Sequence, residues 1–285
     1  MEGVSAVVVT YNGLPWIERC LESVRGCETI VVDHGSTDAT LELVERRFPD
    51  AVVLRRENRG YGAGLNAGMA AASGDYFLLL NSDAWAEEGA VDSLLLFAVA
   101  HPRAGLVGPR ARNPDGTRQL TVRAFPTLWR LATEYFFLRK LAPRSRALNA
   151  FYAGGRDLSR AQTVDWLMGF AMLVRREAIE AVGGFDESFF MFSEETDLCR
   201  RLWHAGWEVW YAPEAEFMHV AGASHGGRMF EENVRGHLRF LTKHRGAAYA
   251  ERARRLLLWA LRLRGLLFRG ERGRMYLRAA RMLTR

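Results

Sequence analysis

The chain has 285 residues and a formal net charge of +6 at pH 7, enough length for one large α/β domain or a domain with a helical appendage. With 49% hydrophobic residues it can bury an ample core, which argues against disorder. Cys20, Cys27 and Cys199 form an odd set without metal-ligand spacing, which argues against a disulfide framework and for core or surface thiols in a reducing compartment.

The N-terminus enters a hydrophobic strand almost at once. It lacks a basic segment, an apolar h-region and a small-residue cleavage site, so no secretory signal and a cytoplasmic location are expected. Residues 4–9, 29–32, 51–54 and 76–80 are short apolar, largely β-branched runs, each reading as a buried strand. Helical patterns at 16–25, 39–48 and 62–72 separate them. Such alternation specifies a parallel sheet covered on both faces.

Ligands of these sheets sit beyond the carboxyl ends of the strands. The polar residues fall there: Thr10, Tyr11 and Asn12 after the first strand, Asp33, His34 and Ser36 after the second, Asn58 and Gly60 after the third, Ser82 and Asp83 after the fourth. Each group alone reads as an ordinary turn, but four strand ends at one edge predict a cleft. No Gly-x-x-x-x-Gly-Lys-Ser/Thr loop is present, yet Gly60, Gly62 and Gly64 open a helix, and a glycine turn there lets backbone N–H groups approach a phosphate. The leucine run 78–80 delivers Asp83 to the sheet edge, where a hard divalent cation could bridge it to diphosphate oxygens. His219, at the end of a later strand, offers a second ligand that favours Mn²⁺ over Mg²⁺, or is a structural histidine.

Residues 139–162 are basic and weakly periodic and read as a long loop or lid; strand signals return at 164–174, 209–211 and 217–220. The stretch 183–201, GGFDESFFMFSEETDLCRR, carries Glu194, Glu195 and Asp197 behind an aromatic run. One reading is helix chemistry: Ser193 caps, acids oppose the positive end of the dipole, and Asp197 pairs with Arg201. The other is a carboxylate base at the mouth of a cleft, its pKa set by its neighbours.

Residues 235–285 hold fifteen Lys or Arg against Glu251 and Glu271, a net +13 that leaves −7 for the rest. The longest apolar stretch, 256–268, is broken by Arg262 and Arg264, so a spanning helix is not expected. Leu256, Leu257, Trp259, Ala260, Leu263, Leu266 and Leu267 favour one helical face with arginines opposite. That pattern fits a membrane surface or a cover packed on the domain. A protein binding RNA through this tail, with Trp259, Phe268 and Tyr276 for stacking, is the alternative of a different class.

Six blocks in order carry a resemblance: VVVTYN (7–12), VVDHGSTD (31–38), NRGYGAGLNAG (58–68), LLLNSDA (78–84), WLMGFAMLVRREA (166–178) and GGFDESFFMFSEETDLCRRLWHAGW (183–207). Over residues 4–227 the chain resembles a family 2 inverting glycosyltransferase, and within it the bacterial rhamnosyltransferase-like group. The resemblance implies an α/β fold of the GT-A type, a Rossmann-like mixed sheet flanked by helices. The catalytic domain is expected at 1–245, with a nucleotide-binding half at about 1–110 and an acceptor half at about 111–245, followed by a basic helical tail at 246–285 that lies outside the resemblance. The resemblance implies a nucleotide-sugar donor, dTDP-rhamnose or alternatively a UDP-sugar, with Mn²⁺ or Mg²⁺. The acceptor would be a glycan or lipid-linked saccharide of the cell envelope. A peripheral contact of the tail with the inner membrane face is expected and nucleic acid is not; self-association stays open.

Residue by residue, the resemblance puts Tyr11 and His34 at the base and Asp33 at the nucleoside. Thr10, Asn12, Asn58, Gly60, Asn66 and Ser82 complete the donor side. Asp83 and His219 are assigned to the metal, and Trp166, Gly169 and Asp197 to the acceptor or sugar side. Glu195 is the expected base, with Glu194 as rival. Three positions depart from the family pattern: His34 stands where Asp or Asn is common, Asn81 replaces the first acid of the DxD-type motif, and Glu195 is one methylene longer than the usual Asp.

Overall fold

A computed structural model describes residues 3–152, 154–220 and 228–284. The first part alternates strand and helix: β1 (Val4–Thr10), α1 (Ile17–Glu22), β2 (Glu28–Asp33), α2 (Thr40–Arg47), β3 (Val52–Arg55), α3 (Tyr61–Ala71) and β4 (Tyr76–Asn81). Then come β5 (Ala84–Ala86), α4 (Ala90–Ala100), β6 (Ala104–Arg112), β7 (Arg118–Gln119), β8 (Val122–Arg123) and α5 (Leu128–Tyr135). The remainder holds β9 (Gln162–Thr163), β10 (Trp166–Leu167), β11 (Ala171–Arg175), α6 (Arg176–Ala181), α7 (Glu194–His204), β12 (Glu208–His219), α8 (Arg228–Arg245), α9 (Ala247–Leu267) and α10 (Gly270–Met282).

The main sheet runs β3-β2-β1-β4-β11-β6-β12-β5. Strands β3, β2, β1 and β4 are mutually parallel, whereas β11 lies antiparallel between β4 and β6. Period-2 alternation divides the apolar strands between two cores. Ala6, Val8, Val31, Leu78 and Leu80 join the core with Ile17, Val44 and Leu94. Val7, Val9, Ile30, Val32 and Leu79 join the core with Leu65, Ile179 and Leu198. Helix α3 comes close enough to β1 that a Cβ on Gly68 would lie 2.3 Å from Val7 Cγ1, so its glycines serve helix–sheet packing.

Two expected strands, 209–211 and 217–220, are one: β12 runs unbroken from Glu208 to His219 with a register shift between Ala212 and Glu216. Pro213 in that interval lacks a ladder donor, so the strand accommodates it as an irregularity. The single expected strand at 164–174 is instead broken into β10 and β11, with Gly169 in the interruption.

Helices α8, α9 and α10 pack with α5 around a third core that includes Leu131, Tyr135, Val234, Leu257, Leu261 and Tyr276. The apolar face expected in the tail is therefore split. Leu257 and Ala260 are buried, while Trp259, Leu263, Leu266 and Leu267 remain exposed. Arg264, expected opposite the apolar face, is 5% exposed. Its guanidinium donates to the carbonyls of Tyr135 at 2.7 Å and Glu134 at 2.6 Å, where a cation satisfies the orphan acceptors of a helix C-terminus. No helix among the described residues is long and apolar enough to cross a membrane.

Candidate active site

Strands β1, β2 and β4 end at Thr10, Asp33 and Asn81, and the segments beyond them enclose a cleft of about 280 Å³. Thr10, Tyr11, His34, Asn58, Ser82 and Asp83 all line it, joined by Tyr61 and Phe190. Tyr11 stands at the rim, 55% exposed, free to present its ring to a planar ligand. Thr10 Oγ1 is buried in the wall without a hydrogen-bond partner among the described residues, a polar atom that a ligand would satisfy. Burial lowers the pKa of His34 against the opposing charge of Asp33, so a neutral imidazole faces the cleft at pH 7.

Four further residues expected on the donor side make contacts that shape the turns around the cleft. The Asp33 carboxylate accepts from the N–H groups of Gly35 and Ser36, each at 3.0 Å, and from the Ser36 hydroxyl; it locks the turn after β2. Asn12, with φ 51, donates its N–H to Ser36 Oγ at 2.8 Å and accepts the Thr37 N–H at 2.8 Å, joining the turns after β1 and β2. Asn66 exchanges hydrogen bonds with the Phe185 backbone, both at 2.9 Å. Gly60, with φ 111, lies so close to the segment before α7 that a Cβ would meet Phe190 O at 2.4 Å. Its N–H is held by Asn58 Oδ1 at 3.2 Å and the Tyr61 N–H by Phe190 O at 2.9 Å. The Gly60 and Tyr61 amides are thus engaged within the protein.

Asp83 and His219 meet across the β5–β12 edge, with Nε2 and Oδ1 3.6 Å apart and both residues buried. Gln119 orients the imidazole. Its amide nitrogen donates to Asn113 Oδ1 at 2.7 Å and to the His219 carbonyl at 2.6 Å, which turns its Oε1 toward His219 Nδ1 at 2.9 Å. That network assigns the proton to Nδ1 and leaves the Nε2 lone pair toward Asp83. A metal-ligating histidine requires this tautomer and this kind of outer support. Two ligands on one octahedral ion stand roughly 3 Å apart, so the pair fits a divalent cation after a sub-ångström adjustment. No group of three or more His, Cys, Asp or Glu that could hold a metal occurs among the described residues.

The acids lie at the start of α7. The helix is entered through two consecutive non-glycine residues in the left-handed region, Phe192 at φ 66 and Ser193 at φ 71, a conformation that costs free energy and needs support. Helix α8 supplies it: a Cβ on Gly236 would lie 2.6 Å from Phe192 O. Ser193 makes no side-chain cap, contrary to the helix-chemistry reading, while the expected Asp197–Arg201 pair is present at 2.7 Å.

Glu194 and Glu195 are 4% and 8% exposed, each with Oε2 lacking a partner among the described residues. Burial, reinforced by the Glu195 charge, raises the Glu194 pKa well above the ordinary value. Burial also raises Glu195, to about 7, against the backbone N–H groups at the helix start and the charge of Arg123. A carboxyl group poised there suits proton abstraction at neutral pH. Tyr61 links this pair to the cleft. Its hydroxyl donates to Gly169 O at 3.3 Å and lies within the fields of Glu194, Asp83 and Glu195.

Of the residues assigned to the acceptor side, Gly169 lies against the acids: a Cβ there would approach Glu195 Cβ at 3.4 Å. Asp197 and Trp166 serve the scaffold. Asp197 is fully buried and binds Lys243 Nζ and His244 Nε2, each at 2.8 Å, stapling α7 to α8. Trp166 Nε1 donates to Ala124 O at 3.0 Å. The sequence reading missed Tyr61, Gln119, Arg123 and Gly236. Tyr61 lay within a block already noted for its glycines; the others gave no local signal, since their roles arise from pairing of distant segments.

The family model for "Glycosyl transferase family 2" matches residues 5–183, and that for "Glycosyl transferase family group 2" matches residues 156–269. The N-acetylglucosaminyl-diphospho-decaprenol L-rhamnosyltransferase of Mycobacterium tuberculosis is 36% identical over 237 residues, 77% of this chain and 76% of that protein. The rhamnosyltransferase WbbL of Escherichia coli is 23% identical over 258 residues, covering 85% of this chain and 94% of the other. Among solved structures, the mannosyltransferase PcManGT from Pyrobaculum calidifontis, in complex with GDP-Man and Mn²⁺, superposes with TM-score 0.62 at 17% identity, covering 99% of this chain and 81% of that one. The fold is thus that of the GT-A enzymes, and the chain belongs to glycosyl transferase family 2 as a glycosyltransferase of the rhamnosyltransferase-like group.

Proposed function

We propose that this enzyme transfers rhamnose from dTDP-rhamnose to a hydroxyl of a lipid-linked saccharide in cell-envelope synthesis, with inversion at the anomeric carbon. One observation carries the reading: Glu195, a buried carboxylate with an oxygen that has no partner among the described residues, lies against Gly169, whose carbonyl accepts from Tyr61, and Tyr61 lines the strand-end cleft with Asp83. The cleft is the place for the nucleotide and the acid pair the place for the acceptor hydroxyl. The relative of 36% identity, named for transfer of L-rhamnose to a diphospho-decaprenol-linked N-acetylglucosamine, supports both the sugar and the acceptor class.

Asp83 and His219 would hold the divalent ion. When bound, that ion supplies positive charge to offset the charge developing on the departing nucleotide diphosphate. Ionised Glu195 takes the proton from the acceptor hydroxyl as its oxygen forms the new bond to the anomeric carbon on the face opposite the leaving group. One displacement inverts the configuration. The acidic residues at α7 and the base-side residues of the cleft then act as one unit held together by Gly60, Asn66 and Gly169. Outside the cleft, exposed Trp259, Leu263, Leu266 and Leu267 among the arginines of α9 support peripheral contact with an anionic inner leaflet.

A thermal-shift panel of nucleotide sugars with Mn²⁺ tests the donor, because a ligand that binds the folded state raises the melting temperature by mass action. dTDP-rhamnose should give the largest shift. A clear response to a UDP-sugar with none to dTDP-rhamnose would replace the donor assignment.

A further inference from the structure

A second cavity, of about 630 Å³, is built by β8, α5 and the segment between α5 and β10, and shares no lining residue with the strand-end cleft. Five arginines line it: Arg123, Arg130, Arg146, Arg156 and Arg160, with Asp157 the one carboxylate in its wall. Three of them are aimed by main-chain carbonyls. Arg123 donates to Leu120 O and Val122 O, Arg130 to Phe125 O at 2.8 Å, and Arg156 to Thr163 O at 3.2 Å. Arg130 also pairs with Asp165 at 3.2 Å, and Asp157 accepts the Ser159 N–H at 2.9 Å. The segment that forms the far wall is itself held by hydrogen bonds. Asn149 Nδ2 donates to Pro143 O at 2.7 Å, Gly154 N to Asn149 O at 2.9 Å, and Trp129 Nε1 to Ala147 O at 2.9 Å.

So many guanidinium groups around one hollow repel each other; Asp165 pairs with Arg130, and Glu134 and Glu195 act on Arg123, which leaves Asp157 as the carboxylate in the wall beside the other three. Their planar forks match phosphate oxygens bidentately, and a group carrying several anionic oxygens on adjacent phosphorus atoms could engage more than one arginine. The cavity is connected to the acids through the backbone: Arg123 in its wall pairs with Trp166 across the β8–β10 ladder, and Gly169, just past β10, lies against Glu195. An anion held there would be bound apart from the strand-end cleft that holds Asp83, with which this cavity shares no lining residue.

We infer that this arginine-lined cavity binds the diphosphate of a sugar-diphospho-lipid acceptor and so directs the sugar hydroxyl toward Glu195. The inference rests on the proposed acceptor class. Arg146 and Arg160 are exposed and are the two arginines of the cavity with no side-chain hydrogen bond among the described residues.

The test uses the full-length protein with Mn²⁺ and saturating nucleoside diphosphate to fill the strand-end cleft, and titrates geranyl diphosphate by calorimetry. Arg146→Gln with Arg160→Gln should weaken geranyl diphosphate at least tenfold and leave nucleoside diphosphate affinity unchanged. The same variant should raise KM for the diphospho-lipid acceptor tenfold or more, with KM for the sugar donor unmoved. A parallel Arg146→Lys, Arg160→Lys variant, which keeps the charge, should recover part of the loss. Unchanged probe affinity in the glutamine variant would overturn the site, as would geranyl diphosphate that no longer binds the wild type once nucleotide is saturating. Inorganic pyrophosphate binding as tightly as the prenyl diphosphate, with acceptor KM unmoved in the variant, would overturn its assignment to the acceptor. Loss of probe binding in the variant, in a protein that glycosylates only soluble sugars, would uphold the diphosphate site and refute the lipid-linked reading separately.

Discussion

Replacing Glu195 by glutamine keeps the shape of the side chain and removes its charge, and the two consequences have opposite signs. Glu195 is 8% exposed, and burial raises its pKa from 4.5 to about 7. A carboxyl group whose folded pKa lies above its unfolded one favours the fold while protonated. That contribution is complete below pH 4.5 and is lost as the pH rises through about 7. A rise of this size corresponds to roughly 3 kcal/mol against the ionised form. Glu195→Gln should therefore stabilise the protein at pH 8 by up to about 3 kcal/mol, a melting increase of about 6 °C for a chain of this size. At pH 5.5 the gain should be much smaller. Turnover should fall on the order of a hundredfold or more, because the proton acceptor is gone. In the wild type kcat/KM should rise with pH to a plateau above about pH 7, and the residual activity of the variant should lose that dependence. Melting curves and transfer assays at both pH values decide the matter. A variant destabilised at both, with turnover within a few-fold of wild type, would reduce Glu195 to a helix-start residue.

Asp83→Ala and His219→Ala should each abolish measurable Mn²⁺ binding by calorimetry in the presence of nucleoside diphosphate. Gln119→Leu should weaken it by about 10- to 100-fold, the usual cost of losing a residue that orients a ligand; unaltered affinity would refute its tautomer-setting role. Gly236→Ala places a methyl group 2.6 Å from Phe192 O and should displace the turn that presents Glu195. A tenfold or greater drop in kcat with donor KM unchanged is expected, and wild-type kcat would show that α8 does not support the base. Removing α9 and α10 would expose Leu131 and Tyr135, so the membrane contact is better tested by substitution. Trp259→Glu with Leu266→Glu should cut salt-sensitive binding to anionic vesicles while leaving the melting temperature within about 2 °C, whereas Leu257→Ala in the core should cost about 2–5 kcal/mol.

The parallel part of the sheet was legible because buried parallel strands announce themselves as β-branched runs and because strand ends fix where a ligand can sit. The approximate positions of β1 to β4 and the convergence of Thr10, His34, Ser82 and Asp83 follow from that pattern alone. What the pattern cannot resolve is which polar side chain at a strand end faces the ligand and which is consumed by its own turn. Asp33, Asn12 and Asn66 have the chemistry of binding residues, and their hydrogen bonds also close loops. Asp197 likewise reads as a site acid until Lys243 and His244 arrive from α8, 46 and 47 positions later in the sequence. Gln119 lies 100 residues from the histidine it orients, a separation at which periodicity carries no information. The tail face was misread as single because α9 has two apolar stripes, one buried against α5 and α10 and one exposed.

The central claim is transfer of a sugar, with inversion, from its nucleotide to a lipid-linked saccharide. Incubating the enzyme with dTDP-rhamnose, Mn²⁺ and a short-chain prenyl-diphospho-N-acetylglucosamine, then reading the new linkage by NMR, tests it most directly. A single rhamnosyl product whose anomeric configuration is opposite to that of the donor is the expected result. Retention of configuration, or transfer only from another nucleotide sugar to an acceptor without diphosphate, would contradict the account.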